Sequence, residues 1–305
     1  MEKKDTQKGI TIHNKDYPAL LKQIKNAPKA LYVKGDVEIL TKPCIAIVGT
    51  RKASGQGMAL AQEIAKELAS AGLVIVSGLA QGIDGAAHKG ALEGGGKTIG
   101  ALASSLENHF FFPSQNFSLA QKMIEHGGAL VSEYEKDTPA LRHHFIARNR
   151  IVAGLSLGVL VIEAPQKSGA LITAEFARDQ KRLVFAVPGS VFVKNAQGTN
   201  ALIKTGAHLI ENAHDVLAIL TQKKMFSPAK ILQNHKEYTA LSLSATKILT
   251  CISEGQNTID KIIKNVNIDT STLLSFLIEL ELQGIIKNAG AGNYIIIKKL
   301  KNPAV

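Results

Sequence analysis

Between residues 44 and 220 short apolar runs alternate with helical periods, and this alternation constrains the fold more than any other feature of the chain. Residues 45–48, 73–77, 98–102, 129–132, 159–163 and 183–187 are brief and rich in Val, Ile, Leu and Ala, the pattern of strands buried on both faces. Helical stretches lie between them. The economical solution is a mostly parallel sheet with helices on both faces, an α/β fold. Each run ends in small or polar residues, so the carboxyl ends of the strands are expected to line one edge, where such sheets bind their ligands.

The first of these junctions carries the clearest chemistry. Gly49 stops the strand, and Ser54 is placed to cap the helix that follows. A strand, a small-residue loop and a helix in that order aim backbone N–H groups and the positive end of a helix dipole at one spot, which suits an anion. Gly49 and Thr50 belong to that loop, and Arg51 adds a planar cationic fork beside it. Glycines at 49, 55 and 57 match neither the dinucleotide fingerprint nor a P-loop, so a phosphate is expected there but no particular nucleotide.

Further corners repeat the theme. Residues 77–88 form a second glycine-rich turn, with Asp84 placed to cap a helix. Gly78, Gln81 and Gly82 then face the same edge, their amides open to phosphate or base unless the glycines serve only close packing of helix on sheet. His88, one turn into that helix, reads as a packing residue. At 143–156, Arg148 and Arg150 flank Asn149 and cannot share a helix face, so at least one should reach an anion or a carboxylate. Phe145, just ahead of them, is either a platform for a stacked base or a hydrophobic staple for the helix start.

Lys167 with the Ser168 hydroxyl and the Gly169 amide makes a third anion-ready corner. Glu163 has no second carboxylate or nucleophile at readable spacing and is expected to orient one of the arginines. Residues 188–189 and 198–203 complete the edge. Residues 91–98 imitate a P-loop in reversed context, helix before and strand after, and read as a helix end and turn. Together these corners offer cations and amides with few acids. That chemistry binds a phosphate chain without cleaving it, so no catalytic residue, metal ligand or cofactor is expected.

The charge balance agrees: 36 Lys and Arg against 25 Asp and Glu give a formal +11, which suits a polyanionic partner. Cys44 and Cys251 stand far apart without metal-ligand spacing, as in a reducing compartment, and Cys44 reads as a small buried hydrophobe. The opening residues lack the apolar region of a signal peptide, and the longest nearly apolar run, 151–164, is too short to span a bilayer. A soluble cytoplasmic protein with no membrane partner is expected.

Residues 1–40 read as a cover segment ahead of the main domain at 41–220. A basic linker is expected at 221–240, where Lys223, Lys224, Lys230 and Lys236 face Glu237. Beyond it, helical patterns at 246–253, 259–265 and 270–283 and a hairpin over 284–287 and 292–297 follow the order of a small winged helix, the domain expected at 241–300. Six basic against five acidic residues between 241 and 300 are too balanced for a duplex-binding wing, and 270–283 shows Leu, Phe, Ile and Glu where a recognition helix needs basic or amide side chains. A protein-contact or weak DNA role is expected for this tail.

The blocks Val48-Gly49-Thr50-Arg51, 77–88, 145–156, 167–174, Val187-Pro188-Gly189 and 198–203, in this order, resemble the DNA-processing protein A (DprA or Smf) family over residues 10–220. The resemblance implies an extended Rossmann-like domain that binds single-stranded DNA, forms a homodimer and helps load RecA recombinase in natural transformation. It places Arg51, Phe145, Arg148, Arg150 and Lys167 in a positively charged DNA groove, with amides from Gly49 and from the 78–82 loop. The chain departs from the family at 103–107, where a Gly-x-Gly-Leu/Ile-Asp turn is usual, and at Phe112-Pro113, where Tyr-Pro is usual. Two other readings compete. Nucleoside-monophosphate phosphoribohydrolases of the lysine-decarboxylase-like group share the frame but carry Pro-Gly-Gly-x-Gly-Thr-x-x-Glu, where this chain has Pro188-Gly189-Ser190-Val191-Phe192. A winged-helix regulator with the α/β domain as ligand sensor is the other.

Overall fold

Every residue from Cys44 to Val48 is buried, and the period-two geometry of a strand sends Cys44, Ala46 and Val48 into one core and Ile45 and Ile47 into another. A strand that feeds two cores must have a layer of structure on each side. The computed structural model describes residues 7–227, 243–266, 268–282, 285–290 and 292–297, and the chain divides into two units, Met1–Leu232 and Gln233–Val305.

In the first unit β1 (Lys8–Thr11), α1 (Ala19–Lys22) and β2 (Ala30–Gly35) precede β3 (Cys44–Val48). Then α2 (Gly55–Ser70), β4 (Val74–Ser77), α3 (Ile83–Glu93), β5 (Thr98–Ala101), α4 (Phe117–Glu125) and β6 (Ala129–Ser132) build one half. The other half is α5 (Arg142–Gly154), β7 (Gly158–Val161), α6 (Gly169–Asp179), β8 (Leu183–Ala186), α7 (Gln197–Lys204), β9 (His208–Leu209) and α8 (Ala213–Gln222). The nine strands form one sheet in the order β1-β2-β6-β5-β4-β3-β7-β8-β9, parallel from β6 to β9. The expected mostly parallel sheet flanked by helices is therefore the fold of this unit.

The stretch read as a cover segment instead extends the sheet. Leu31 and Val33 of β2 point into the core, and β2 pairs antiparallel with β6 on one side and β1 on the other. The two-residue strand β9 at the far edge is too short to leave a periodic signal.

From β3 the chain builds outward to β6, then crosses back to lay β7 on the other side of β3. The helices that follow these neighbouring strands lie on opposite faces: α2 packs through Ala61, Ile64 and Leu68 into one core, and α6 through Ala170, Ala174 and Ala177 into the other. A crevice must open between the carboxyl ends of β3 and β7, the switch point at which such sheets bind ligands.

His88 of α3 is fully buried, so it is a packing residue. The Thr98 hydroxyl donates to the Ile75 carbonyl (2.7 Å), so the 2.6 Å contact from His88 Nδ1 makes that nitrogen the donor and leaves Nε2 a bare buried acceptor. Burial, with help from the charge of Arg148, pushes the imidazole down to about 3. The unfolded chain therefore takes up a proton near pH 6.5 that the folded chain refuses. Stability at this residue is full above pH 6.5 and falls as the pH drops toward 3. Denaturation midpoints across that range should fall more steeply for the natural protein than for His88→Leu; parallel curves would remove His88 from the acid response.

The second unit contains α9 (Leu243–Ser253), α10 (Ile259–Val266) and α11 (Thr270–Leu282), followed by the antiparallel pair β10 (Ile286–Gly290) and β11 (Asn293–Ile296). Ile248, Ile252, Ile262, Leu273, Leu277 and Tyr294 form its own core. Beyond residue 227 the basic linker read at 221–240 lies outside the described residues.

Candidate functional site

The switch-point crevice is a cleft of about 450 Å³, walled by the loops after β3, β4 and β7 and by the first turns of α5. The β3 loop brings Arg51 and Lys52, the β7 loop brings Lys167, Ser168 and Gly169, and α5 brings Arg142, Phe145, Arg148 and Asn149. Arg51, Lys52, Arg142 and Lys167 are exposed, and none forms an ion pair among the described residues. Asp84 is the cleft's one carboxylate among these residues, and it is buried.

The junction after β3 departs from expectation. Ser54 caps α2 by accepting from Gly57 N (2.9 Å), but the anion at this helix end is the protein's own. Glu163 accepts from Ser54 N (2.9 Å), Ser54 Oγ (2.5 Å) and Asn195 Nδ2 (3.0 Å), so it ties three loops together and orients no arginine. Its carbonyl also takes the Thr50 amide (2.8 Å). Gly49 and Thr50 thus shape the cleft wall, and Arg51 carries the charge there.

The 78–82 turn is likewise committed inward. Asp84 does not cap α3; the N-cap is Gly82, and the Asp84 carboxylate turns back to accept from Gly78 N (3.1 Å) and Ala80 N (3.4 Å). Gly82 sits at φ 76°, and a Cβ there would lie 2.4 Å from the Thr50 carbonyl oxygen, so packing and conformation both demand glycine. Close packing thus requires glycine at 78 and 82, the Gly78 amide is taken by Asp84, and Gln81 stays exposed.

Arg148 and Arg150 divide as their spacing requires, though neither is a free cation. Arg148 is 4% exposed, and its Nη1 donates to the Gly78 carbonyl (2.6 Å) and to that of Ala101, bracing the ends of β4 and β5 under the cleft. Burial lowers its pKa to about 10, which still leaves it charged at neutral pH; burial raises that of Asp84, while Arg148 pulls it back. Arg150 points away from the cleft to Glu133 (2.5 Å), the carboxylate that one arginine was expected to find.

Phe145 is half-buried, with the Arg51 guanidinium carbon 5.2 Å from its ring centroid and the half-exposed Phe112 edge-on at 5.7 Å. One ring face thus steadies Arg51 by a cation–π contact. Across the cleft Ser168 caps α6 by accepting from Ala170 N (3.3 Å). Gly169 is open on its Cβ side, and its carbonyl is held by Asn149 Nδ2 (3.2 Å). Lys167 is exposed beside them, with no ion pair among the described residues.

The family model described as DNA recombination-mediator protein A matches residues 8–221. The chain belongs to that family. It is 42% identical to the DNA processing protein DprA of Bacillus subtilis over 71% of this chain and 72% of that one, and 34% identical to protein Smf of Escherichia coli over 95% and 77%. Among solved structures, DNA processing protein A from Streptococcus pneumoniae superposes with a TM-score of 0.64 at 41% identity, covering 69% of this chain and 73% of that one. The Helicobacter pylori protein, whose structure addresses its single-stranded DNA binding mode, gives 0.64 at 33% identity over 73% and 99%.

In this DNA recombination-mediator family member three cleft residues escaped the reading of the sequence: Lys52, Arg142 and Asn149. Arg142, Phe145, Asn149 and Val152 recur at intervals of three and four, one stripe of a helix, so the signal for Arg142 and Asn149 was present. Among the described residues no group of His, Cys, Asp or Glu is placed to hold a metal ion, and no helix is long and apolar enough to cross a membrane.

Proposed function

We propose that this protein binds single-stranded DNA in the β3–β7 cleft and acts as a recombination mediator rather than as an enzyme. The observation that carries the reading is the ring of Arg51, Lys52, Arg142 and Lys167 around a cleft whose carboxylate is buried on backbone amides. Such a ring neutralises several phosphates of a flexible chain. With Asp84 buried on backbone amides, no acid–base pair lines the cleft among the described residues. The single-stranded DNA binding of the H. pylori protein supports the same ligand.

In this reading Arg51, Lys167, Ser168 and Gly169 meet phosphate directly, Phe145 sets Arg51, and Arg148 holds the floor. The family resemblance extends the proposal to a cytoplasmic homodimer that helps load RecA recombinase during natural transformation. The second unit, taken as a winged helix, serves protein contact: the outward residues Leu274 and Ile278 of α11 are apolar where duplex readout needs basic or amide groups.

Titration of fluorescent oligothymidine against duplex of equal length tests the central claim. Single strands should bind more tightly, with log affinity falling linearly as log salt rises. Equal binding of duplex, or release of base from AMP by the purified protein, would overturn it. Faster RecA filament growth on strands coated by single-strand binding protein would test the loading role.

A further inference from the structure

Phe192 is 95% exposed, with Val191 at 74% and Val193 at 49% beside it, an apolar loop tip. The loop that carries it, between β8 and α7, is held firmly at its base. Gly189 and Asn200 exchange two hydrogen bonds (3.2 and 2.8 Å), and Val193 N closes a turn on Ser190 O (3.0 Å). Asn195 donates to Lys52 O (3.1 Å) and to Glu163 (3.0 Å). Three contiguous exposed apolar residues on an anchored loop make a patch of the kind that marks a contact site.

The same anchors say which partner. Asn195 joins the base of this loop to Lys52, a wall of the cleft, and Lys194 adds an exposed cation two residues from the ring. Strands in a sheet lie about 4.8 Å apart, so the β8 loop starts only about 10 Å from that of β3. An exposed apolar ring with a cation two residues away, on a loop tied to a polycation groove, suits a nucleobase whose phosphates lie on the lysines.

We infer that Phe192 is a stacking post for one base, extending the DNA path from the cleft across β7 to β8. The inference rests on the cleft reading above. The whole chain lacks tryptophan, so Phe192→Trp places a single indole at the post. Its fluorescence should be quenched by long oligothymidine and not by oligomers that fill the cleft alone. Phe192→Ala should lower affinity for long oligothymidine by about 5- to 100-fold and leave the shortest bound oligomers unaffected. Phe192→Leu, which keeps the apolar bulk without the ring, should resemble the alanine variant.

Wild-type binding by Phe192→Ala at every length, or an oligomeric state that changes with Phe192→Ala while DNA affinity does not, would overturn the post in favour of no contact or a protein contact. Arg51→Ala and Lys167→Ala separate the two levels. If they weaken binding and Phe192→Ala does not, the post alone fails; if they leave binding intact, the cleft itself is wrong.

Discussion

Replacing Arg148 with methionine is expected to cost about 3–5 kcal/mol of folding stability, a large share of what a domain of this kind possesses. The guanidinium is buried, close enough to the buried Asp84 for each to feel the other's charge, and donates to the carbonyls of Gly78 and Ala101. A methionine fills much of the same volume but leaves two carbonyls without that donor and a buried carboxylate without its neighbouring charge. Lysine should rescue poorly, because one ammonium cannot reproduce the planar fork between two strand ends. The double variant Arg148→Met, Asp84→Asn should recover part of the loss, since the uncompensated charge goes with it. Chemical denaturation measures all three. A Met variant with an unchanged midpoint that had lost only DNA affinity would show that Arg148 meets DNA directly.

The second large effect is on affinity. Arg51→Ala combined with Lys167→Ala should weaken oligothymidine binding about 100-fold at moderate salt, from about 1.5 kcal/mol for each charge-assisted hydrogen bond to phosphate. The slope of log affinity on log salt should become shallower by about 1.4, near 0.7 for each single-strand phosphate left without its cation. The two side chains stand on opposite walls of the cleft, on the β3 and β7 loops, and share no partner among the described residues, so their effects should add. Stability should hardly change, as both groups are exposed. An unaltered salt slope would mean that these cations do not touch the polyanion.

These two outcomes separate residues that the sequence presents alike. Arg51 follows a strand end and Arg148 sits near a helix start, each beside small residues, and both were placed in the DNA groove. Arg51 forms no ion pair among the described residues, whereas Arg148 is drawn inward because Gly78 admits it: a Cβ there would lie 2.5 Å from the guanidinium. Glu163 shows the same effect with the opposite charge. An acid at a strand end looked like a partner for arginine, yet it fills the helix N-terminus that had seemed open to phosphate.

The strands from β3 to β8, the helices between them and the cap Ser54 were legible along the chain because each depends on residues a few positions away, through period, turn chemistry and a hydrogen bond reaching three residues. The order of the glycine-rich blocks was equally local, and with it the family. Which cations remain free was not local. That depends on carbonyls and carboxylates delivered from 70 residues away for Arg148 and 17 for Arg150, and on Glu163 reaching Ser54 across 109. A charge has no fate until folding decides what lies within a few ångströms of it and how much water remains, and those are properties of the assembled sheet edge.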